Sequence, residues 1–265
     1  LKTTFWPIVA NSLYDCEAIS MNLPKNPIIL IPARMKSTRL PNKPLALING
    51  EAMITHVWRR AIESNLGRVV VACGEKEIVQ VIQNAGGEAV LTKPDEPSGS
   101  DRIFSALKKI DPQYQHDAVI NIQGDLPVLT PSTIEAAWSL LADQAVDIGT
   151  VAAQIIIEEE RFNPSVVKAI VAWNSEQKNG RALYFTRTSA PSGDGPLFHH
   201  IGLYAYRRAA LEQFVTLPVS PLEKREKLEQ LRALEYGMRI DVARVDTVPF
   251  GVDTPDDLER AKKLL

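Results

Sequence analysis

Ile28-Ile-Leu-Ile-Pro-Ala-Arg-Met-Lys-Ser-Thr-Arg-Leu-Pro-Asn-Lys-Pro44 changes character at Pro32. The part before it is short and wholly apolar, the pattern of a strand buried on both faces. The part after it carries four cations, Arg34, Lys36, Arg39 and Lys43. Pro41 and Pro44 fix φ and remove donors, which blocks a continuous helix there. A buried strand feeding a cationic, proline-stiffened loop suits a polyphosphate. It offers fixed positive charge, backbone N–H groups and the hydroxyls of Ser37 and Thr38. A solvated basic loop is the plain alternative for this stretch alone.

The chain beyond it alternates strands and helices. Apolar runs at 28–31, 69–72, 89–91 and 118–122 read as strands. Met53, Ile54, Val57, Trp58, Ala61 and Ile62 recur at helical spacing, with Gly67 as a stop. Ile78, Val79, Val81 and Ile82 mark a second helix that ends at Gly86-Gly87. Ile103, Ala106, Leu107 and Ile110 mark a third, started by Ser98-Gly99-Ser100. Hydrophobic strands separated by helices predict an α/β fold with a mostly parallel central sheet covered on both faces. Ligands of such sheets bind beyond the carboxyl ends of the strands, which puts Arg34 and Asp125 on one rim. From about Asp147 the pattern is less regular. Strands are expected at 166–172, 182–185, 201–205 and 240–245, and helices at 222–236 and 256–265.

Composition narrows the function. The chain has 265 residues and a net charge of −2, from 30 basic and 32 acidic residues. A general nucleic-acid binder would carry a basic excess, so the cations of 34–43 are a local device. Two cysteines, Cys16 and Cys73, give neither metal spacing nor a disulfide framework, which suits a reducing cytoplasm. No run reaches the ~18 apolar residues of a membrane helix. Met21 is the first methionine, and the Phe5–Ala10 stretch is too short and proline-broken for a signal peptide. Residues 1–26 are therefore expected to be a poorly ordered leader or upstream extension, and 27–265 a single domain.

Two aspartates could carry metal chemistry. Gly124 lets the chain turn at the end of a strand, and Asp125 then projects toward the cationic loop. Mg²⁺ favours one or two carboxylates with phosphate oxygens and water; an Asx turn is the structural alternative. In Gly251-Val-Asp-Thr-Pro255, Thr254 and Pro255 read as N-cap and first helical residue, leaving Asp253 for a metal or for a helix dipole. Ser98-Gly-Ser-Asp-Arg102 is either a ligand-binding helix start or a simple N-cap. His200 and Tyr204 share one face of an extended segment. Glu226, Glu229, Gln230 and Arg232 read most simply as a solvated helix face. The sequence holds no GxxxxGK[ST], no GxGxxG after the first strand and no GxSxG, which removes Walker loops, dinucleotide fingerprints and nucleophile elbows.

The segments Ile31–Pro44, Gln123-Gly-Asp125, Leu183-Tyr-Phe-Thr-Arg187, His200-Ile-Gly-Leu-Tyr204, Ser220-Pro-Leu-Glu223, Leu228-Glu-Gln-Leu-Arg232 and Gly251–Pro255 together resemble the CMP-Kdo synthetases, the 3-deoxy-manno-octulosonate cytidylyltransferases. The resemblance runs from about Ile28 to the end of the chain. It implies a nucleotide-diphospho-sugar transferase-like sandwich with a small extra dimerisation sheet, a homodimer, and a cytoplasmic enzyme of lipopolysaccharide synthesis. It implies CTP contacts from Pro32, Ala33, Arg34, Arg39, Lys43, Ser98, Arg102 and Gln123, with Arg34, Lys43 and Asp125 central to catalysis. Gln123, Arg187, His200, Tyr204, Glu229 and Gln230 would hold the sugar acid Kdo, and Asp125 and Asp253 would bind Mg²⁺. Leu126 departs from the family, where a glutamate commonly follows the metal aspartate. So do Cys73-Gly74, in place of Thr-Asp, and the short loop at 192–198. Two other readings are a cytidylyltransferase for sialic acid or another 2-keto acid sugar, and a non-catalytic nucleotide sensor. Paired metal carboxylates argue against the sensor.

Overall fold

Ile28, Ile29, Leu30 and Ile31 are completely buried and form the middle of β1, Pro27–Ala33. Each such side chain contributes about 1.5–3 kcal/mol on burial, which is why this strand lies at the centre of its half of the sheet. The computed structural model describes residues 22–37 and 39–265. Most of the expected leader, residues 1–21, lies outside the described residues, as does Thr38. The described chain is fastened ahead of β1: the N–H groups of Lys25 and Asn26 donate to the Asp117 carboxylate at 2.7 and 2.9 Å.

β1 is followed by a two-stranded hairpin, β2 (Leu47–Ile48) and β3 (Glu51–Ala52). Then come β4 (Arg68–Cys73), β5 (Glu88–Leu91), β6 (Ala118–Asn121) and β7 (Ile148–Gln154). The last strands are β8 (Lys168–Trp173), β9 (Asn179–Thr186), β10 (Phe198–Arg207) and β11 (Ile240–Val245). Nine of them form one sheet in the order β5-β4-β1-β6-β10-β7-β11-β9-β8.

The sheet is mixed, which corrects the expectation of a mostly parallel one. Parallel pairing is confined to β5-β4-β1-β6 and to β7 with β11. β10 enters antiparallel between β6 and β7, and β8 and β9 are an antiparallel hairpin. β8 also pairs back onto β10 at His199 and Lys168. That pairing closes β10, β7, β11, β9 and β8 into a barrel-like ring, so the extra strands extend the main sheet. Among the described residues the only separate sheet is the β2–β3 hairpin. Connection length explains the hairpin: β8 and β9 are joined by the short 174–178 loop, and a short loop joins antiparallel neighbours.

Helices cover both faces. α1 (Met53–Glu63), α2 (Lys76–Asn84) and α4 (Pro131–Ser139) pack their apolar stripes on one side. α3 (Gly99–Ile110) and α6 (Arg208–Thr216) pack on the other. A short α5 spans Glu158–Phe162 and the last helix, α9, Pro255–Leu264. The helix expected over 222–236 is broken into α7 (Pro221–Glu226) and α8 (Gln230–Glu235). The break falls at Lys227, whose φ is +56°. Arg187 stabilises it, with Nε donating to the Glu226 carbonyl at 2.8 Å and Nη2 to the Lys227 carbonyl at 3.3 Å. A helix end needs such partners for its free carbonyls.

Candidate active site

The carboxyl ends of β1 and β6 open onto a cavity of about 530 Å³. Its wall includes Pro32, Ala33, Arg34, Lys36, Ser37, Arg39 and Lys43 from the cationic stretch. The base of this loop is held by the Met35 N–H, which donates to Glu75 Oε2 at 3.0 Å. A single 3₁₀ turn, Lys43–Leu45, follows, with Pro44 inside it and Asn42 ahead of it in the left-handed region. This turn places Lys43 across from the end of β6.

Gly124 is required there. A Cβ at this position would lie 2.9 Å from the Pro32 carbonyl oxygen and 3.2 Å from Ile54 Cδ1. Only a bare backbone lets the two strand ends come this close. Asp125 follows, and its carbonyl accepts from the Val252 N–H at 3.0 Å. Asp253 is thereby brought beside Asp125 from the far end of the sequence. Lys43 Nζ donates to Asp125 Oδ2 and to Asp253 Oδ1, each at 2.7 Å, and Arg39 Nη2 reaches Asp253 Oδ2 at 3.1 Å. Burial pulls the Lys43 ammonium down, but the fields and hydrogen bonds of Asp125 and Asp253 outweigh it and leave its pKa raised. Lys43 is therefore a fixed positive charge.

One oxygen from each aspartate already converges on a single cationic point, and both are hard oxygen donors. That arrangement fits a hard divalent ion that completes its shell with water and phosphate. Asp257 is not part of the set. It forms a capping box with Thr254, accepting from the Asp253 and Thr254 N–H groups at 3.2 and 3.0 Å. Those bonds outweigh its burial and lower its pKa. Among the described residues no group of three or more His, Cys, Asp or Glu is arranged to hold a metal ion by itself.

The α3 start forms another wall through Ser98, Gly99 and Arg102, opposite Gln123 and Asp125. Ser98 is an N-cap, accepting from the Asp101 N–H at 3.1 Å. Arg102 is 2% exposed and braces the cavity floor. Its Nη1 donates to Thr92 Oγ1 at 2.6 Å and the Lys93 carbonyl at 2.9 Å, and its Nη2 to the Pro94 carbonyl at 3.1 Å. Leu126 is buried in the core on the α1 side. Cys73 is buried at the end of β4, and burial pushes its thiol up to about 12, which disqualifies it as a nucleophile at neutral pH.

Of the residues linked by resemblance to the sugar, Gln123 lines this cavity, whereas Arg187, His200, Tyr204, Glu229 and Gln230 are not among its wall residues. His200 and Gln230 are buried. His200 Nε2 is 3.0 Å from Thr150 Oγ1, which also lies 2.7 Å from the Leu203 carbonyl. The hydroxyl therefore donates to Leu203 and accepts from Nε2–H. That assigns the tautomer from the network, with Nδ1 facing Gln230 Nε2 at 3.5 Å. Burial lowers the His200 pKa to about 3 and keeps the ring neutral. Tyr204 packs against it, with ring centroids 5.6 Å apart. Glu229 Oε2 accepts from Ser100 Oγ at 3.0 Å, and its buried Oε1 has no hydrogen-bond partner. Burial raises the Glu229 pKa against the pull of Ser98, Ser100 and Arg232. Gln123 bridges the two groups: it lines the cavity and its Cγ lies 3.6 Å from where a Cβ on Gly202 would be. Arg187 sits apart, its guanidinium on the carbonyls of Pro164, Glu226 and Lys227.

Sequence reasoning did not single out Glu96, Gly99 and Pro44 as wall residues, nor Thr150 as the partner of His200. Thr150 carries no local signal, because its role arises from the β7–β10 pairing.

A cytidylyltransferase family profile matches residues 28–240. A 3-deoxy-manno-octulosonate cytidylyltransferase of Paramagnetospirillum magneticum is 60% identical over 90% of this chain and 97% of its own length. That of Parvibaculum lavamentivorans is 60% identical over 94% of this chain and 96% of its own. A solved structure of CMP:2-keto-3-deoxy-manno-octonic acid synthetase complexed with CTP superposes with a TM-score of 0.83. It is 37% identical and covers 91% of this chain and 98% of that one.

Proposed function

The chain belongs to the 3-deoxy-manno-octulosonate cytidylyltransferase family, and from that membership we infer that it transfers CMP from CTP to the anomeric hydroxyl of Kdo, releasing pyrophosphate. Within the structure, the reading is carried by the convergence of Asp125 and Asp253 on Lys43 at the mouth of a cation-lined cavity.

In this reading the sugar hydroxyl attacks the α-phosphorus as the bond to the β-phosphate oxygen breaks. The protein's task is mainly to position two anionic substrates and offset their charge. Arg34, Arg39 and Lys43 hold the phosphates, and Pro32, Ala33, Ser98 and Gln123 shape the nucleotide cavity. Arg102 acts from below by fixing the 92–94 segment. Asp125 and Asp253 would hold Mg²⁺, which when bound neutralises phosphate charge and lowers the pKa of a coordinated hydroxyl. Neutral His200, Tyr204, Glu229 and Gln230 face the sugar in this reading, with Glu229 Oε1, which accepts no hydrogen bond and lies 3.7 Å from Arg232 Nη2, as acceptor for a sugar hydroxyl. Arg187 supports Glu229 and Gln230 through the α7–α8 break. No side chain is assigned as a general base.

The fold is of the nucleotide-diphospho-sugar transferase type in this reading. The enzyme works in the cytoplasm, supplies activated Kdo for lipopolysaccharide, and forms a homodimer through the exposed apolar side chains Ile156, Ile157, Phe162 and Leu183. No helix of the described residues is long and apolar enough to cross a membrane. Pyrophosphate release from CTP with Mg²⁺ and Kdo tests the activity. Release with sialic acid and none with Kdo would overturn it. Light scattering tests the dimer, which a monomeric mass at micromolar protein would exclude.

A further inference from the structure

Lys43 places its ammonium at the point on which one oxygen each of Asp125 and Asp253 converges. Its Nζ is 2.7 Å from one oxygen of Asp125 and 2.7 Å from one of Asp253. Its side chain is only 14% exposed, whereas those of Asp125 and Asp253 are 34% and 49% exposed. The backbone beneath it is set by the Lys43–Leu45 turn and the buried Pro44, so the ammonium can leave only by rotating its own stem. Arg34 and Lys36 line the same cavity, and an anion bound between them and Lys43 would draw the ammonium toward itself.

We propose that Lys43 is a tethered place-holder that closes the Asp125–Asp253 pair until a triphosphate draws its ammonium away. The proposal rests on the reading of the two aspartates as metal carboxylates. Its consequence is an order of assembly. A metal ion arriving alone competes with an ammonium already in place, whereas one arriving with the triphosphate does not. The two ligands then help each other bind, by the same factor in both directions. A tether that closes the pair for nine-tenths of the time would weaken binding of metal alone about tenfold.

The test is Mn²⁺ binding without nucleotide, read from the electron paramagnetic resonance signal of the free aquo ion. Lys43→Met and Lys43→Gln should each bind Mn²⁺ about tenfold or more tighter than the wild type. The Gln variant retains amide donors and decides the matter if the Met variant does not fold. Wild-type affinity, or weaker, would overturn the place-holder, because a lysine that merely braces the pair weakens the site when removed. Thermal unfolding supplies a second reading: Mn²⁺ should raise the Tm of either variant more than that of the wild type, and equal shifts count against the proposal. Adding Asp125→Asn to Lys43→Gln should abolish the gain. Retention of the gain would instead overturn the metal reading of the aspartates, a result distinct from failure of the place-holder alone.

Discussion

The Val252 N–H donates to the Asp125 carbonyl at 3.0 Å, and this one backbone bond ties the two aspartate loops together. Because the bond uses main-chain atoms, side-chain changes at Asp125 or Asp253 leave the loops in place. The roles of the side chains can therefore be tested without moving the backbone.

Asp125→Asn removes a charge but almost no volume. Turnover should fall by at least about 10²-fold, in line with the loss of a group that stabilises developing charge. Lys43 retains Asp253, and the Asp125 side chain is 34% exposed and stays hydrated as an amide, so stability should change by no more than about 1 kcal/mol. Pyrophosphate release and a thermal melt check both parts; wild-type turnover removes Asp125 from the metal role.

Lys43→Ala deletes the cation that joins Asp125 and Asp253 at the cavity and that the proposed function places on the triphosphate. kcat/KM for CTP should fall on the order of 10²-fold, through a raised KM, a lowered kcat or both. Steady-state kinetics with CTP varied at saturating Kdo measures this. Unchanged constants would show that the ammonium does not touch the triphosphate.

Gly124→Ala drives a methyl group to 2.9 Å from the Pro32 carbonyl oxygen. Backbone cannot yield as a flexible side chain does, so the ends of β1 and β6 must separate. A loss of about 1–3 kcal/mol is expected, together with lower activity. Gly99→Ala is the control: its nearest contact would be Pro32 Cγ at 3.4 Å, and urea unfolding should show little change.

His200 links stability to pH. Its ring titrates at about 3 when folded because burial excludes the charged form, against 6.5 for an exposed imidazole. Below pH 6.5 the unfolded chain binds the extra proton, so stability falls as pH drops, and this contribution is lost by about pH 3. The slope from one such group is about 1.4 kcal/mol per pH unit. His199, lowered to about 4 by burial and then by Lys168, adds to the same limb. Tm measured from pH 7 to 4 should fall less steeply in His200→Gln than in the wild type. Parallel curves would mean that His200 is not held neutral.

The α7–α8 break shows where local patterning ceased to decide the structure. Residues 222–236 carry a continuous helical pattern, yet Lys227 turns left-handed, with Arg187 supplying partners for the freed Glu226 and Lys227 carbonyls. The strand at 148–154 was likewise not legible. Gly149 serves close packing there, since a Cβ would lie 2.3 Å from the Ala137 carbonyl of α4. The mixed sheet follows from β10, whose direction is set by its neighbours and not by its own residues.

By itself, the sequence determined what is local. It specified the buried β1 strand, the cations that follow it, the Gly-Asp turn at 124–125, the Thr254-Pro255 helix start, and through its combined motifs the family. Tertiary structure alone decided which charges meet. Asp125 and Asp253 face Lys43 because a main-chain hydrogen bond joins loops far apart in sequence, and Thr150 orients His200 because β7 lies beside β10. Local propensity acts over a few residues, whereas a charge or hydrogen bond acts through space, and only the fold sets those distances.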